Sequence, residues 1–184
     1  MDLTEKRIDG EYKFKGRIIN LRVDRALLPD GTVAGREVVE HNGGVCVAAL
    51  TDDNEVLMVR QFRYPYSEVV LEIPAGKLDY AGEDRREAAL RELREETGAR
   101  CEALTPLGLY LGSPALIDEK IDLYLAEGLT FGERDLDEDE FLDVVKIPLA
   151  NLVDMALRGE IPDGKTQLAV LKVWELLRRR KENA

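Results

Sequence analysis

Residues 76–99, GKLDYAGEDRREAALRELREETGA, decide how the rest of the chain is read. A Gly-punctuated loop leads into a strongly helical run, expected from about Glu83 to Thr97. The run stops at Gly98, a residue suited to the left-handed position past a helix end. Ala89, Leu90 and Leu93 form its inward face. Glu92 and Glu96 are four residues apart with Glu95 beside them, and side chains at i and i+4 share one face, roughly 5–6 Å apart between Cβ atoms. Like charges so placed repel, and in the last turns the helix dipole disfavours anions as well. Arg91 and Arg94 offset part of that cost. A bound divalent cation offsets more, and oxygen-only donors point to Mg²⁺ or Mn²⁺ rather than Zn²⁺. A bare ExxEE is more simply a solvated acidic face; the longer pattern around this one lifts the metal reading.

Outward from that stretch, composition narrows the class. At 184 residues, 45% hydrophobic and 34% charged, the chain fits one folded domain with a real core. A net charge of −11 argues against a nucleic-acid surface, which gathers Lys and Arg. An acidic protein that handles an anionic small molecule needs metal ions to bridge the charge. Cys46 and Cys101, both in apolar context, read as reduced core thiols rather than a disulfide or zinc site. The start MDLTEKRIDGEYKF carries no signal-peptide pattern and no long apolar stretch occurs, so a cytoplasmic protein with no membrane contact is expected.

Residues 11–42 read as a strand hairpin around the turn Leu28-Pro29-Asp30-Gly31. Two strands are marginal alone, so this arm must pack on the main domain or on a second subunit. His41, with no partner visible, reads as a surface or structural histidine. Gly44 to Leu50 is a nearly all-apolar run, the mark of a buried central strand. Strands follow at Glu55–Val59 and Val69–Ile73, the latter running into Pro74-Ala75-Gly76. Arg60 and Arg63, at a strand end beside an acidic metal site, are placed to hold substrate phosphate; plain surface charge is the alternative. Past the helix, strands are expected at 100–110, 121–126 and 144–147, with helices at 149–158 and from 166 to about 181. The segment Glu133 to Glu140, ERDLDEDE, has no periodicity and reads as a mobile loop. Arg178-Arg179-Arg180-Lys181 complements a helix C-terminus. The fold class is α/β, a mixed sheet with helices on both faces.

Gly76, Glu83 and Arg91-Glu92-Leu93-Arg94-Glu95-Glu96-Thr97-Gly98-Ala99 together resemble the signature of the Nudix hydrolases. Six residues, Lys77 to Gly82, separate Gly76 from Glu83 where the family pattern has five. The extra residue falls in the loop and leaves the carboxylate spacing intact. Gln61-Phe62-Arg63, Leu71-Glu72-Ile73-Pro74-Ala75-Gly76, Ser113-Pro114 with Asp118-Glu119, and Gly159-Glu160-Ile161 with Asp163 and Lys165-Thr166 resemble the ADP-ribose pyrophosphatase branch. That branch carries a proline about fifteen residues past the signature, where Pro114 stands.

The resemblance implies a Nudix-type α/β/α sandwich with a mixed central sheet and an N-terminal β-hairpin. One domain would span 1–184, with 1–42 as a dimerisation arm and 43–184 as the catalytic core. It implies hydrolysis of the pyrophosphate bond of ADP-ribose, or a related nucleoside diphosphate sugar, to AMP and ribose 5-phosphate, with two or three Mg²⁺ ions or Mn²⁺. Glu92 and Glu96 are the main implied ligands, Glu95 a third ligand or an orienter, and the carbonyl of Ala75 a backbone ligand. Glu96 and Glu95 are thereby catalytic candidates. Arg60, Arg63, Glu72 and Ser113 are implied substrate contacts, and Gly76, Glu83, Arg91 and Gly98 structural members. A base is expected just before the strand at Val144, with Glu140 first and Glu138 second. The implied partners are a small-molecule nucleoside diphosphate sugar and a second copy of the chain. Two other readings stay open: a hydrolase of another nucleotide sugar such as GDP-mannose, and a non-catalytic nucleotide-sensing domain.

Overall fold

Strand alternation sets the layers of the larger of two compact units, residues 44–110 with 121–184. In β4 (Gly44–Leu50) every position is buried. Successive side chains point to opposite faces of a strand. Val45, Val47 and Ala49 therefore join one core cluster with Ala88, Ala89 and Leu93, while Cys46, Ala48 and Leu50 join another with Leu152, Ala169 and Val173. Both faces are covered by helices, which is why this strand reads as a continuous apolar run. The computed structural model describes residues 1–138 and 140–183; Asp139, in the expected charged loop, lies outside the described residues.

Around β4 the sheet is mixed. β5 (Glu55–Arg63) and β10 (Leu142–Pro148) lie on one side and β9 (Ile121–Phe131) and β8 (Ala99–Tyr110) on the other, in the order β10-β5-β4-β9-β8. β4 and β9 run parallel, with Gly44 opposite Ile121 and Ala49 opposite Ala126. Two short strands, β6 (Glu68–Glu72) and β7 (Ala75–Lys77), pair with β5 and β4. The helix α1 (Arg85–Thr97) covers one face; α2 (Leu149–Leu157) and α3 (Gly164–Glu182) cover the other. The expected mixed sheet with helices on both faces is what forms.

Details at the ends of α1 matter for the site. It starts two residues later than expected, because the Asp84 carboxylate accepts from the Arg86 and Glu87 backbone N–H groups at 2.9 and 3.0 Å. Such a cap satisfies donors that have no partner inside the helix. It ends at Gly98 in the left-handed conformation, φ 70°, where a Cβ would stand 2.4 Å from the Gly132 carbonyl oxygen. The longer loop before the helix closes as a turn: Glu83 N–H donates to the Tyr80 carbonyl at 3.2 Å, with Gly82 at φ 90°.

Residues 1–43 with 111–120 form the other unit. Its sheet has three strands, not the two of the expected hairpin: β1 (Lys6–Lys15), β2 (Ile19–Leu27) and β3 (Val33–His41), in the order β1-β2-β3. β1 is exposed at every residue. Charge pairing tethers it to β2: Arg7 to Asp24 at 3.0 Å and Arg25 Nε to Asp9 at 2.8 Å. Gly10 makes room for the Asp24 carboxylate, whose oxygen would lie 2.0 Å from a Cβ there. Ile8, Tyr12 and Phe14 alternate with charged residues along β1, the period of a strand with one apolar face. His41 does have partners: its Nδ1 accepts from the Gly43 N–H at 3.0 Å, the Glu119 carboxylate lies 3.3 Å from the same nitrogen, and the Asp118 carboxylate accepts from its backbone N–H. Among the described residues no helix is long and apolar enough to cross a membrane.

Candidate active site

The loop before α1, the helix itself, strand β7, the end of β5 and residues just before β10 enclose a cavity of about 300 Å³. Gln61, Arg63, Ala75, Glu92, Glu95 and Glu140 line it, joined by Gly76, Lys77, Asp79, Arg91 and Asp137. Of the expected carboxylates, Glu92 and Glu95 reach the cavity from one helical face. Glu96 sits behind it, fully buried. One of its oxygens accepts from the Ala75 N–H at 3.0 Å; the other, Oε1, has no hydrogen-bond partner among the described residues. A buried carboxylate oxygen left unpaired is expensive, and a cation beside it removes the expense.

The electrostatics agree. Burial, followed by the charges of Glu140 and Glu92, pushes the Glu96 carboxyl up to about 9. Burial also raises Glu92 to about 7, although Arg91 opposes the shift. A site that disfavours its own ionisation without metal is one a divalent cation would complete. Gly76 permits the close approach of backbone and carboxylate: a Cβ there would stand 1.9 Å from the Glu92 carboxyl carbon. Among the described residues no three His, Cys, Asp or Glu side chains are grouped to hold an ion by themselves. Arg91 instead holds Glu92 at 2.8 Å and Glu95 at 3.1 Å. The donors the cavity offers are carboxylate oxygens, few in number, and such a set fits Mg²⁺, an ion that keeps several of its waters.

Arg91 is the hub of the loop–helix junction. Its guanidinium also reaches Glu83 at 3.3 Å and the Lys77 carbonyl at 3.3 Å, and Glu83 accepts from the Asp79 N–H at 2.7 Å. Burial acts against the Arg91 charge, but the surrounding carboxylates outweigh it and raise its pKa. The extra loop residue therefore does not separate Glu83 from Arg91.

Other expected residues divide. Arg63 lines the cavity, whereas Arg60 does not: strand alternation turns Gln61 and Arg63 to the cavity and Arg60 away, 3.9 Å from Asp143. Glu72 is buried and lies against Arg63 Nε at 2.6 Å. Ser113 lies in the smaller unit, where its carbonyl accepts from Leu116 and Ile117. Glu140 faces the cavity and accepts from Gln61 Nε2 at 3.3 Å, while Glu138 is exposed and not in the lining. Gln61, Asp79 and Asp137 were not expected in the site. For Gln61 the readable signal was its two-residue spacing from Arg63 on a strand. A buried network around Glu72, Asp163, Lys165 and Thr166 was also missed; Asp163 followed three residues later by Thr166 at a helix start was its signal.

An acidic helix face and Arg63 opening on one cavity of an α/β sandwich define the class: a hydrolase that takes a cation and an anionic substrate together. The chain belongs to the Nudix hydrolase family: the NUDIX domain matches residues 40–167, and the nucleoside diphosphate sugar hydrolase N-terminal domain matches residues 5–39. Its relatives include the ADP-ribose pyrophosphatase of Bacillus subtilis, 42% identical over 97% of this chain and 98% of that one. The methanol dehydrogenase activator of Bacillus methanolicus is 44% identical over 95% of this chain and 96% of that one. The ADP-ribose pyrophosphatase of Mycobacterium tuberculosis is 38% identical over 90% and 81%. A solved structure described as an ADP compounds hydrolase superposes with a TM-score of 0.84 over 98% of both chains, at 24% identity, which bears on the fold alone. Members of the family typically depend on divalent metal.

Proposed function

We propose that the protein hydrolyses the pyrophosphate bond of ADP-ribose in the cytoplasm, giving AMP and ribose 5-phosphate. The observation that carries this reading is the buried, unpartnered Glu96 Oε1 behind a cavity that Glu92, Glu95 and Arg63 share. Two or three Mg²⁺ ions, or Mn²⁺, held by Glu92 and Glu96 with Glu95 and the Ala75 carbonyl, would neutralise the diphosphate and lower the pKa of water. The protein's own groups do the rest. Arg63 binds phosphate oxygens. Glu140, oriented by Gln61, accepts the proton of the attacking water as the bond from phosphorus to the bridging oxygen breaks. Arg91 and Glu83 hold the loop against the helix so that the carboxylates stay in register. The names of the B. subtilis and M. tuberculosis relatives support the choice of ADP-ribose.

By the same reading residues 1–42 form a dimerisation arm. Ile8, Tyr12, Phe14, Ile18 and Val33 leave large apolar surface exposed on this small sheet, which suits burial against a second copy.

Turnover on a panel of ADP-ribose, GDP-mannose and other nucleotide sugars, read by the nucleotide released, tests the proposal. Mg²⁺-dependent release of AMP, with ADP-ribose the best substrate, is expected. GDP-mannose as best substrate would move the chain to the company of relatives named for that activity, such as one of Cronobacter sakazakii, 30% identical over 91% of this chain. No turnover on any member would favour a sensing domain. The B. methanolicus relative favours a second reading, action on a partner enzyme. Activation of a methanol dehydrogenase that persists in Glu96→Gln would support a role independent of hydrolysis.

A further inference from the structure

The side chain of Glu72 is almost closed to solvent, 2% exposed, yet two cations contact it. Arg63 Nε donates to its Oε1 at 2.6 Å, and Lys165 Nζ donates to Oε2. Burial acts against the Glu72 carboxylate, but Arg63 and Lys165 together hold it below the usual range. Lys165 also contacts Asp163 at 3.0 Å. The same Asp163 oxygen caps α3 by accepting from the Thr166 N–H at 3.1 Å, and Thr166 Oγ1 accepts from the Ile73 N–H at 2.9 Å. The first turn of α3 is thereby stitched to the end of β6 at two neighbouring residues. Arg63 lines the cavity; Lys165 does not.

The roles of the two cations differ accordingly. A carboxylate alone with one arginine takes both sides of its fork, since the paired geometry is the strongest available. Here Lys165 occupies the second oxygen, so Arg63 meets Glu72 through Nε only. Among the described residues the two terminal nitrogens of Arg63 make no hydrogen bond, and they belong to a side chain that is 37% exposed at the cavity.

We infer that Lys165 is a positioning residue for the proposed reaction: by occupying Glu72 Oε2 it leaves the terminal nitrogens of Arg63 available for a diphosphate oxygen. This rests on the reading of the cavity as a diphosphate site. Lys165 itself touches no substrate; it acts through Glu72 on Arg63. The preference it creates is for a ligand with an anionic oxygen at the Arg63 end of the cavity.

Three variants test the inference: Lys165→Met, Lys165→Arg, and Lys165→Met combined with Glu72→Gln. KM and kcat for ADP-ribose are measured with Mg²⁺, and the affinity for inorganic pyrophosphate is measured by calorimetry. Lys165→Met lets Glu72 capture the whole guanidinium, so KM and the pyrophosphate Kd should each rise about tenfold, the scale of one charge-assisted hydrogen bond. kcat should change far less. Lys165→Arg should restore both. The double variant should also return them close to wild type, because the neutral amide that replaces the Glu72 carboxylate cannot hold the Arg63 charge. Circular dichroism confines the comparison to folded protein. An unchanged pyrophosphate Kd in folded Lys165→Met, or a raised one that the double variant leaves raised, overturns the inference. If wild type binds pyrophosphate but turns over no nucleotide sugar, the proposed activity fails, and the calorimetric comparison still decides the role of Lys165.

Discussion

In metal-free protein, Glu96→Gln should remove most of the loss of stability between pH 5 and pH 8. The Glu96 carboxyl rises from an ordinary value of 4.5 to about 9 in the folded chain. A raised folded pKa means the contribution is fully present below about pH 4.5 and is lost as pH climbs toward about 9. Within that window the unfolded chain has released a proton that the folded chain still holds. Each pH unit of the window costs roughly 1 kcal/mol, so pH 5 to 8 costs on the order of 3 kcal/mol. The pKa of Glu92, pushed up to about 7, adds to the same trend over a narrower range. Urea unfolding with a chelator present at pH 5, 6.5 and 8 reads this directly. With both carboxyls counted, and at about 2 kcal/mol per molar urea, the wild-type midpoint should fall by about 2–3 M over that range. Glu96→Gln should fall by less than half as much. Mg²⁺ should raise the wild-type midpoint more at pH 8 than at pH 5, because binding must displace the carboxyl protons of its ligands and that displacement costs less as pH rises. Equal losses in wild type and variant would show that Glu96 is not the group responsible, and the argument from its burial would collapse.

Three shorter predictions accompany it. Glu140→Gln should lower kcat by about 10²-fold with little change in KM, while the exposed Glu138→Gln stays active; the reverse pattern moves the base two residues back, and two active variants remove the loop from the chemistry. Gly76→Ala should keep native circular dichroism but lose about 10–100-fold in kcat/KM, because its Cβ would displace the Glu92 carboxylate; full activity would mean that the carboxylate need not sit where it does. Sedimentation at micromolar concentration should give twice the chain mass of 20.7 kDa, and a charged substitution at Phe14 should shift it toward monomer; a wild-type monomer would leave the exposed face of the small sheet without the proposed partner.

Much of this was decided locally. Helix α1, its end at Gly98 and the shared face of Glu92 and Glu96 follow from spacing and from the left-handed freedom of glycine. The buried strand Gly44–Leu50 and the two-sided cover of helices follow from an apolar run without alternation. Such features depend on neighbours a few residues away, so one chain's sequence suffices. Those it did not determine depend on partners far along the chain. Strand β1 itself shows in the alternation of Ile8, Tyr12 and Phe14 with charges, but its pairing with β2 does not: pairs such as Arg7 with Asp24 hold it, and two charged residues seventeen apart carry no sign that they meet. Whether Arg60 or Arg63 faces the cavity depends on the register of β5 against β10 and β6, since one residue of slip exchanges the faces. Lys165 meets Glu72 across ninety-three residues only because the first turn of α3 packs at the end of β6. The carboxylates could be read from the sequence; the depth at which Glu96 is buried, and hence its need for a cation, came only from the packed tertiary structure, because desolvation is a property of everything that surrounds a group.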